Sequence, residues 1–248
     1  MITIRLLAIR YDYSIYTISE SAVTLQYGSD ISIDRHRELT ALKERILSHP
    51  PAGFRDVSVA YNSLSLFIEP FDTWREIKIS PLAYLKNWLR EKAACMDGFT
   101  SQPADSKEVL LPVCYDEALA PDLAAVVAEK GISVEELISL HTQQPYYVFM
   151  LGFSPGFPYL GILPDKLHIP RKSRPALVVT AGSVGIAGKQ TGIYPFDTPA
   201  GWYVIGRTPV KLFNFNDSQR CLLNAGDTVR FSSIDLETFK YLNQYEDK

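Results

Sequence analysis

Short runs of β-forming residues alternate with amphipathic stretches along the first hundred residues. Residues 13–19 and 23–27 read as two strands, with Gly28-Ser29-Asp30 as a turn after them. A helix opens at Asp34, because Leu39, Leu42 and Ile46 recur at the three- and four-residue spacing that puts them on one helical face. Pro50-Pro51 ends it, since proline has no amide hydrogen to continue the ladder and its ring clashes with the preceding turn. Residues 57–60 and 65–68 read as paired strands around Tyr61-Asn62-Ser63. Pro81 suits a first helical position, and Leu82, Leu85 and Leu89 then share a face beside Trp88. This order predicts a small α+β domain of ferredoxin-like type over residues 1–96.

The texture then changes. Residues 97–107, DGFTSQPADSK, are polar and rich in turn formers, and read as a linker. A strand is expected over 109–114 and a helix over 121–130, closed by Gly131. Ser133 with Glu136 three residues on is a capping-box pattern, opening a helix that runs through Ile138 to about His141. Beyond Tyr146 helical periodicity disappears. Apolar segments at 146–151, 177–179, 202–205, 210–213 and 229–232 are separated by glycines and prolines, the pattern of a mainly-β barrel or sandwich over residues 108–248.

Composition narrows the function classes. Of the 248 residues, 46% are hydrophobic and 21% charged, with a formal charge of −3. That mix suits a globular chain and supplies no cationic excess to track a nucleic-acid backbone. Apolar runs fall short of the about 20 residues a membrane helix needs. The amino terminus has neither the sustained apolar stretch nor the cleavage site of a secretory signal, so a cytoplasmic location is expected. Cys95, Cys114 and Cys221 are odd in number and match no zinc spacing, and read as buried thiols in a reducing compartment. No metal site is expected.

Three stretches carry chemistry. The first, GFSPGFPYLG from Gly152, holds three glycines, two prolines and three aromatics in ten residues. It is either a structural corner or a preformed wall for a small ligand. The second, AGSVGIAGKQTGIYP from Ala181, fails as a phosphate loop. A Walker A loop places four residues between its first glycine and the Gly-Lys pair, then Ser or Thr. Here five residues lie between Gly182 and Gly188, and Gln190 follows Lys189 in strand-like text. Its glycines still offer amides to an anion, and Ser183, Lys189, Gln190, Thr191 and Tyr194 add donors. The third, PAGWYVIGRTP from Pro199, holds Arg207 between Gly206 and Thr208-Pro209, where a guanidinium is either a solvated surface group or a bidentate grip for a carboxylate or phosphate. Arg171-Lys172-Ser173-Arg174 reads as a solvated loop, Arg171 excepted. His141 closes a helix, where its cation would suit the helix dipole or where it could serve as a general acid–base.

Together these stretches resemble one family. His141-Thr142, GFSPGFPYLG, PRKSRP from Pro170, AGSVGIAGKQTGIYP and PAGWYVIGRTP are similar, in order, to signature blocks of the family of KipI and the B component of 5-oxoprolinase. KipI is its sporulation kinase inhibitor, and the family also includes allophanate hydrolase subunit 1-like proteins and carboxyltransferase subdomain C. The resemblance runs from about Val109 to the end and is weaker over residues 1–95, where the Tyr61-Asn62-Ser63-Leu64 turn matches.

The resemblance implies a small α/β domain followed by a cyclophilin-like β-barrel that packs against a related partner, the C component of 5-oxoprolinase. With the A component, the three would form an enzyme coupling ATP hydrolysis to the opening of 5-oxo-L-proline to L-glutamate. ATP enters as co-substrate of the complex, without a metal or prosthetic group. At the motif positions, Arg207 and Gln190 are assigned to hold a carboxylate or phosphate and His141 to move protons. Phe153, Pro155, Gly156, Phe157, Arg171, Ser183, Lys189, Thr191, Tyr194 and Thr208 are assigned to substrate contact. Two other roles stay open within the family: inhibition of sensor histidine kinase autophosphorylation, and a carboxyltransferase or allophanate-hydrolase-related component.

Overall fold

In a computed structural model, residues 13–95, 106–216 and 219–246 are described, and the chain divides into two compact units, Met1–Gln102 and Pro103–Lys248. Most of the linker expected at 97–107 lies outside the described residues.

The first unit contains β1 (Tyr13–Ser19), β2 (Ala22–Tyr27), α1 (Ile33–Ser48), β3 (Phe54–Val59), β4 (Ser63–Ile68), α2 (Pro70–Ile77) and α3 (Pro81–Ala94). The strands form an antiparallel sheet in the order β1-β2-β4-β3. Leu64, Leu66 and Ile68 alternate along β4 and pack with Leu39, Leu42 and Ile46 of α1 and Leu85 and Leu89 of α3, so both predicted helical stripes meet the sheet. Ser32 caps α1 by accepting the Arg35 amide hydrogen at 3.4 Å. The described elements run ββαββαα, whereas a ferredoxin-like unit runs βαββαβ. What holds is the coarser class, helices packed on an antiparallel sheet.

The second unit contains β5 (Glu108–Cys114), α4 (Leu123–Lys130), α5 (Val134–Thr142), β6 (Tyr146–Leu151), β7 (Pro158–Gly161), β8 (Ala176–Val179), β9 (Ser183–Ala187), β10 (Gln190–Ile193), β11 (Thr198–Ala200), β12 (Tyr203–Arg207), β13 (Thr228–Ile234) and α6 (Leu236–Glu246). Seven strands close a barrel in the order β10-β7-β6-β13-β5-β12-β9, and β8 pairs with β11 in a separate two-stranded sheet. Only β13 and β5 run parallel within the barrel.

Strand alternation sorts the barrel residues. Val184 and Ile186 on β9 join Ile205, Val229 and Phe231 in the main core. Ala187 and Val204 instead join Phe157, Val179, Tyr194, Ala200 and Trp202 in a second cluster that includes residues of β8 and β11. Side chains two apart on a strand share a face. Ser183 therefore stands on the same face as Ala187, opposite to the one that carries Val184 and Ile186.

Local expectations fared unevenly. Ser133 Oγ accepts the Glu136 amide at 3.1 Å, but the Glu136 carboxylate turns to Lys166 at 2.8 Å, so only half of the capping box forms. Residues 210–213 are not a strand. Val210 donates its amide to Thr208 Oγ1, and only Phe213 makes an isolated bridge, to Cys221. Of the cysteines, Cys114 is buried and Cys221 half-buried, while Cys95 is exposed, contrary to the buried expectation. No helix among the described residues is long and apolar enough to cross a membrane.

Candidate functional site

The Ala181–Ile193 text is a β-hairpin. Ala187 pairs with Gln190, leaving Gly188 and Lys189 as a two-residue turn, and Gly188 has the positive φ of 58° that the first central position of a type II′ turn demands. No helix follows Lys189, so the rejection of a phosphate loop stands on the fold. Lys189 itself is exposed at the turn.

Ser183 and Arg207 form a cross-strand pair between β9 and β12. Directly opposed side chains of an antiparallel pair lie on one face, about 4.5–5.5 Å apart at Cβ. Just before Ser183, Gly182 has φ 83°, and a Cβ there would stand 2.4 Å from the Thr208 carbonyl oxygen. Only glycine permits that approach, which brings the Gly182 carbonyl to the Thr208 amide at 2.9 Å and fixes the Ser183–Arg207 register. Arg207 donates from Nε to the Ala181 carbonyl at 2.8 Å, and its guanidinium carbon lies 5.8 Å from the Phe239 ring centroid.

Two clefts flank Arg207. One, of about 340 Å³, includes Asp122, Lys172, Val178, Thr180, Ser183 and Val204 in its wall. The other, of about 190 Å³, includes Gly182, Tyr194, Thr208 and Asn243. Tyr194 is buried, and desolvation foremost pushes its phenol up to about 12. Thr208 is buried too, its hydroxyl accepting the Val210 amide at 3.2 Å.

Gln190 is not brought to Arg207. It pairs with Ala187, on the same face as Ser183 but four residues further along β9, about 13 Å at the rise of a strand. It lines neither cleft. The expected Gln190–Arg207 grip is corrected on that ground. A second correction concerns Lys172, expected in solvent. Its ammonium meets Asp122 Oδ2 at 2.5 Å, and both side chains are largely buried.

His141 lies inside the barrel rather than in a cleft. It is 0% exposed and stacks on Phe231 at 4.6 Å. Thr191 donates its hydroxyl hydrogen to the Gly185 carbonyl at 3.1 Å, so its oxygen accepts from His141 Nε2 at 3.0 Å. Nδ1 is then the acceptor and takes the Tyr115 hydroxyl at 2.7 Å. Burial lowers the imidazole to about 3. A neutral, fully buried ring with both nitrogens occupied is built to hold the core, not to carry protons, and Thr191 is committed to the same network.

The GFSPGFPYLG loop is an aromatic outcrop. Phe153 is 64% exposed with φ 68°, a left-handed conformation that a bulky residue rarely takes. Its ring meets Phe157 at 5.6 Å and Tyr194 at 6.3 Å, edge to face. Pro155 is exposed, and Gly156 is buried against Phe213. Arg171 is exposed, near enough to Tyr159 and Tyr194 to lower both phenols slightly against the dominant effect of burial. Among the described residues no three His, Cys, Asp or Glu side chains converge to hold a metal ion.

Lys172 and Asp122, absent from the sequence-based site, complete the larger cleft. The signal for Lys172 lay in PRKSRP, but nothing in the text placed Asp122, fifty residues earlier, beside it.

Residues 13–223 match the family described as "Carboxyltransferase domain, subdomain C and D". Curated proteins named as the B component of 5-oxoprolinase are similar along almost their whole length. The Bacillus subtilis protein is 37% identical over 90% of this chain and 93% of its own, and the Escherichia coli O157:H7 protein 37% over 87% and 94%. Among solved structures, TTHA0988 superposes with TM-score 0.69 at 34% identity, covering 86% of this chain and 40% of that one. Kluyveromyces lactis urea carboxylase shares the fold, with TM-score 0.78 at 16% identity over 95% of this chain and 23% of that one. The chain belongs to the carboxyltransferase subdomain C and D family. Within that family it groups with the curated proteins named as the B component of 5-oxoprolinase.

Proposed function

We propose that this chain is one of three components of an ATP-dependent 5-oxoprolinase, acting with the A and C components in the cytoplasm to open 5-oxo-L-proline to L-glutamate. The similarity to proteins named as the B component of that enzyme, over nearly the full length of both partners, carries this reading. The chemistry needs help from outside the substrate. A five-membered lactam is an unstrained, resonance-stabilised amide, and ATP as co-substrate of the complex would activate its carbonyl toward water.

On this reading the barrel is the cyclophilin-like half implied by the family resemblance, separated from the amino-terminal domain near residues 97–107. Arg207, Ser183, Tyr194 and Thr208 border the clefts and face the small molecule, and the Phe153–Phe157 loop forms an aromatic wall beside them. His141 and Thr191 support that surface from the barrel interior. Function follows from this site and not from the barrel shape, which brings no prolyl isomerase activity by itself.

The test is co-expression with the genes for the A and C components, followed by assay of glutamate release. Release that depends on both 5-oxo-L-proline and ATP is expected. A purified, folded trio that hydrolyses no ATP in response to 5-oxo-L-proline would overturn the reading, and arrest of a sensor histidine kinase by the chain alone would then favour the inhibitor role.

A further inference from the structure

The larger cleft beside Arg207 is wider in chemistry than the motifs that border it. Its walls hold two cations, Lys172 and Arg207, against one carboxylate, Asp122, a formal excess of one positive charge. Each is fixed in place. Asp122 Oδ2 accepts the Val204 amide at 2.7 Å as well as the Lys172 ammonium at 2.5 Å, and Lys172 Nζ lies 5.6 Å from the Tyr203 ring centroid. Arg207 is anchored through Nε alone, so among the described residues its two terminal nitrogens have no hydrogen-bond partner. Across the strand pair, Ser183 is 4% exposed, and its hydroxyl likewise has no partner among the described residues. The Ser183 hydroxyl and the half-satisfied Arg207 guanidinium thus border one cleft from a single cross-strand pair, with hydrogen-bonding capacity left for a ligand. Val178, Val179 and Val204 supply the apolar part of the wall.

We propose that this cleft binds a small molecule bearing a single carboxylate. Arg207 and Ser183 take the carboxylate, the Asp122-held Lys172 completes the charge balance, and the valine wall receives the body of the ligand. Charge arithmetic selects the class. One carboxylate neutralises the excess, whereas a phosphate brings about 1.5 to 2 negative charges and would leave the cleft negative beside Asp122. Size agrees, since about 340 Å³ lies at the small end of ligand cavities. The inference deepens the reading above and rests on it for the choice of ligand, because 5-oxo-L-proline is a cyclic amide with one carboxylate.

The experiment is calorimetric titration of the full chain with 5-oxo-L-proline, cyclopentanecarboxylate, pyrrolidinone and inorganic phosphate, repeated on Arg207→Lys, Lys172→Met and Ser183→Ala. Thermal melting first establishes that each variant is folded. Both carboxylates should bind saturably, pyrrolidinone and phosphate more weakly. Arg207→Lys and Lys172→Met should each weaken carboxylate binding by about tenfold, the scale of one charge-assisted hydrogen bond. No saturable carboxylate binding, equal binding of pyrrolidinone, tighter binding of phosphate, or folded variants that bind like the parent would each overturn the proposal. The two readings fail separately. Binding of cyclopentanecarboxylate without 5-oxo-L-proline keeps the cleft and counts against the enzyme reading. Glutamate release by the trio with unaltered binding in the variants keeps the enzyme and removes the cleft.

Discussion

Tyr115 and His141 meet inside the barrel, the phenolic hydroxyl 2.7 Å from Nδ1, and both are buried. Replacing the imidazole therefore empties a packed position and strands two hydroxyl partners at once. His141→Ala is expected to cost about 3 kcal/mol of unfolding free energy, through cavity formation and loss of buried hydrogen bonds. Denaturant unfolding of the full chain measures this. A variant with unchanged stability but collapsed turnover in the assembled enzyme would instead restore the acid–base role.

Acid should find the same residue. Burial holds His141 near 3 in the folded chain against an ordinary value of 6.5, so below 6.5 the unfolded chain binds the extra proton and the folded one does not. Stability from this group is thus complete above 6.5 and is lost as pH falls toward 3. Between pH 7 and pH 5 the loss is about 2 kcal/mol by linkage. Melting curves across that interval, compared with His141→Gln, check the sign: the variant should lose most of the slope.

Asp122 and Lys172 supply a third test, independent of any ligand. Asp122→Ala removes the acceptor for the Val204 amide and leaves a largely buried ammonium unpaired. A loss of about 3 kcal/mol is expected, with part of it recovered in the Asp122→Ala, Lys172→Met double variant because the stranded charge is gone. A purely additive double-mutant cycle would show that the pair does not interact.

Gly182→Ala tests the strand register. The new methyl would have to adopt φ 83° and stand 2.4 Å from the Thr208 carbonyl. A cost of about 2 kcal/mol or more is expected. Amide hydrogen exchange at Thr208 should rise, since its bond to the Gly182 carbonyl spans the displaced segment.

Much of the architecture was legible where periodicity is strong. Leu39, Leu42 and Ile46, and likewise Leu85 and Leu89, announced helices α1 and α3, and Ser133 marked the start of α5. Two other helices were not. Helix α2 spans eight residues and was signalled only by Pro70 at its start, and α6 only by Asp235, whose carboxylate accepts the Thr238 amide at 2.7 Å. Residues 210–213 misled because a short apolar segment does not by itself pair a strand: the Val210 amide turns to Thr208 Oγ1, and Phe213 makes only an isolated bridge, to Cys221.

Residue text by itself determined the helical stripes, the change to a glycine- and proline-rich β half, the absence of a phosphate loop and the family resemblance. Each of these is local, written in spacing or in contiguous motif. Only tertiary structure decided that His141 and Thr191 face the barrel interior, that Gln190 stands about 13 Å along β9 from the Arg207 pairing, and that Asp122 joins Lys172 beside Arg207. Which face a strand residue takes, and which distant loop closes over it, depends on barrel closure and strand register, and these arise from contacts between segments far apart in the chain.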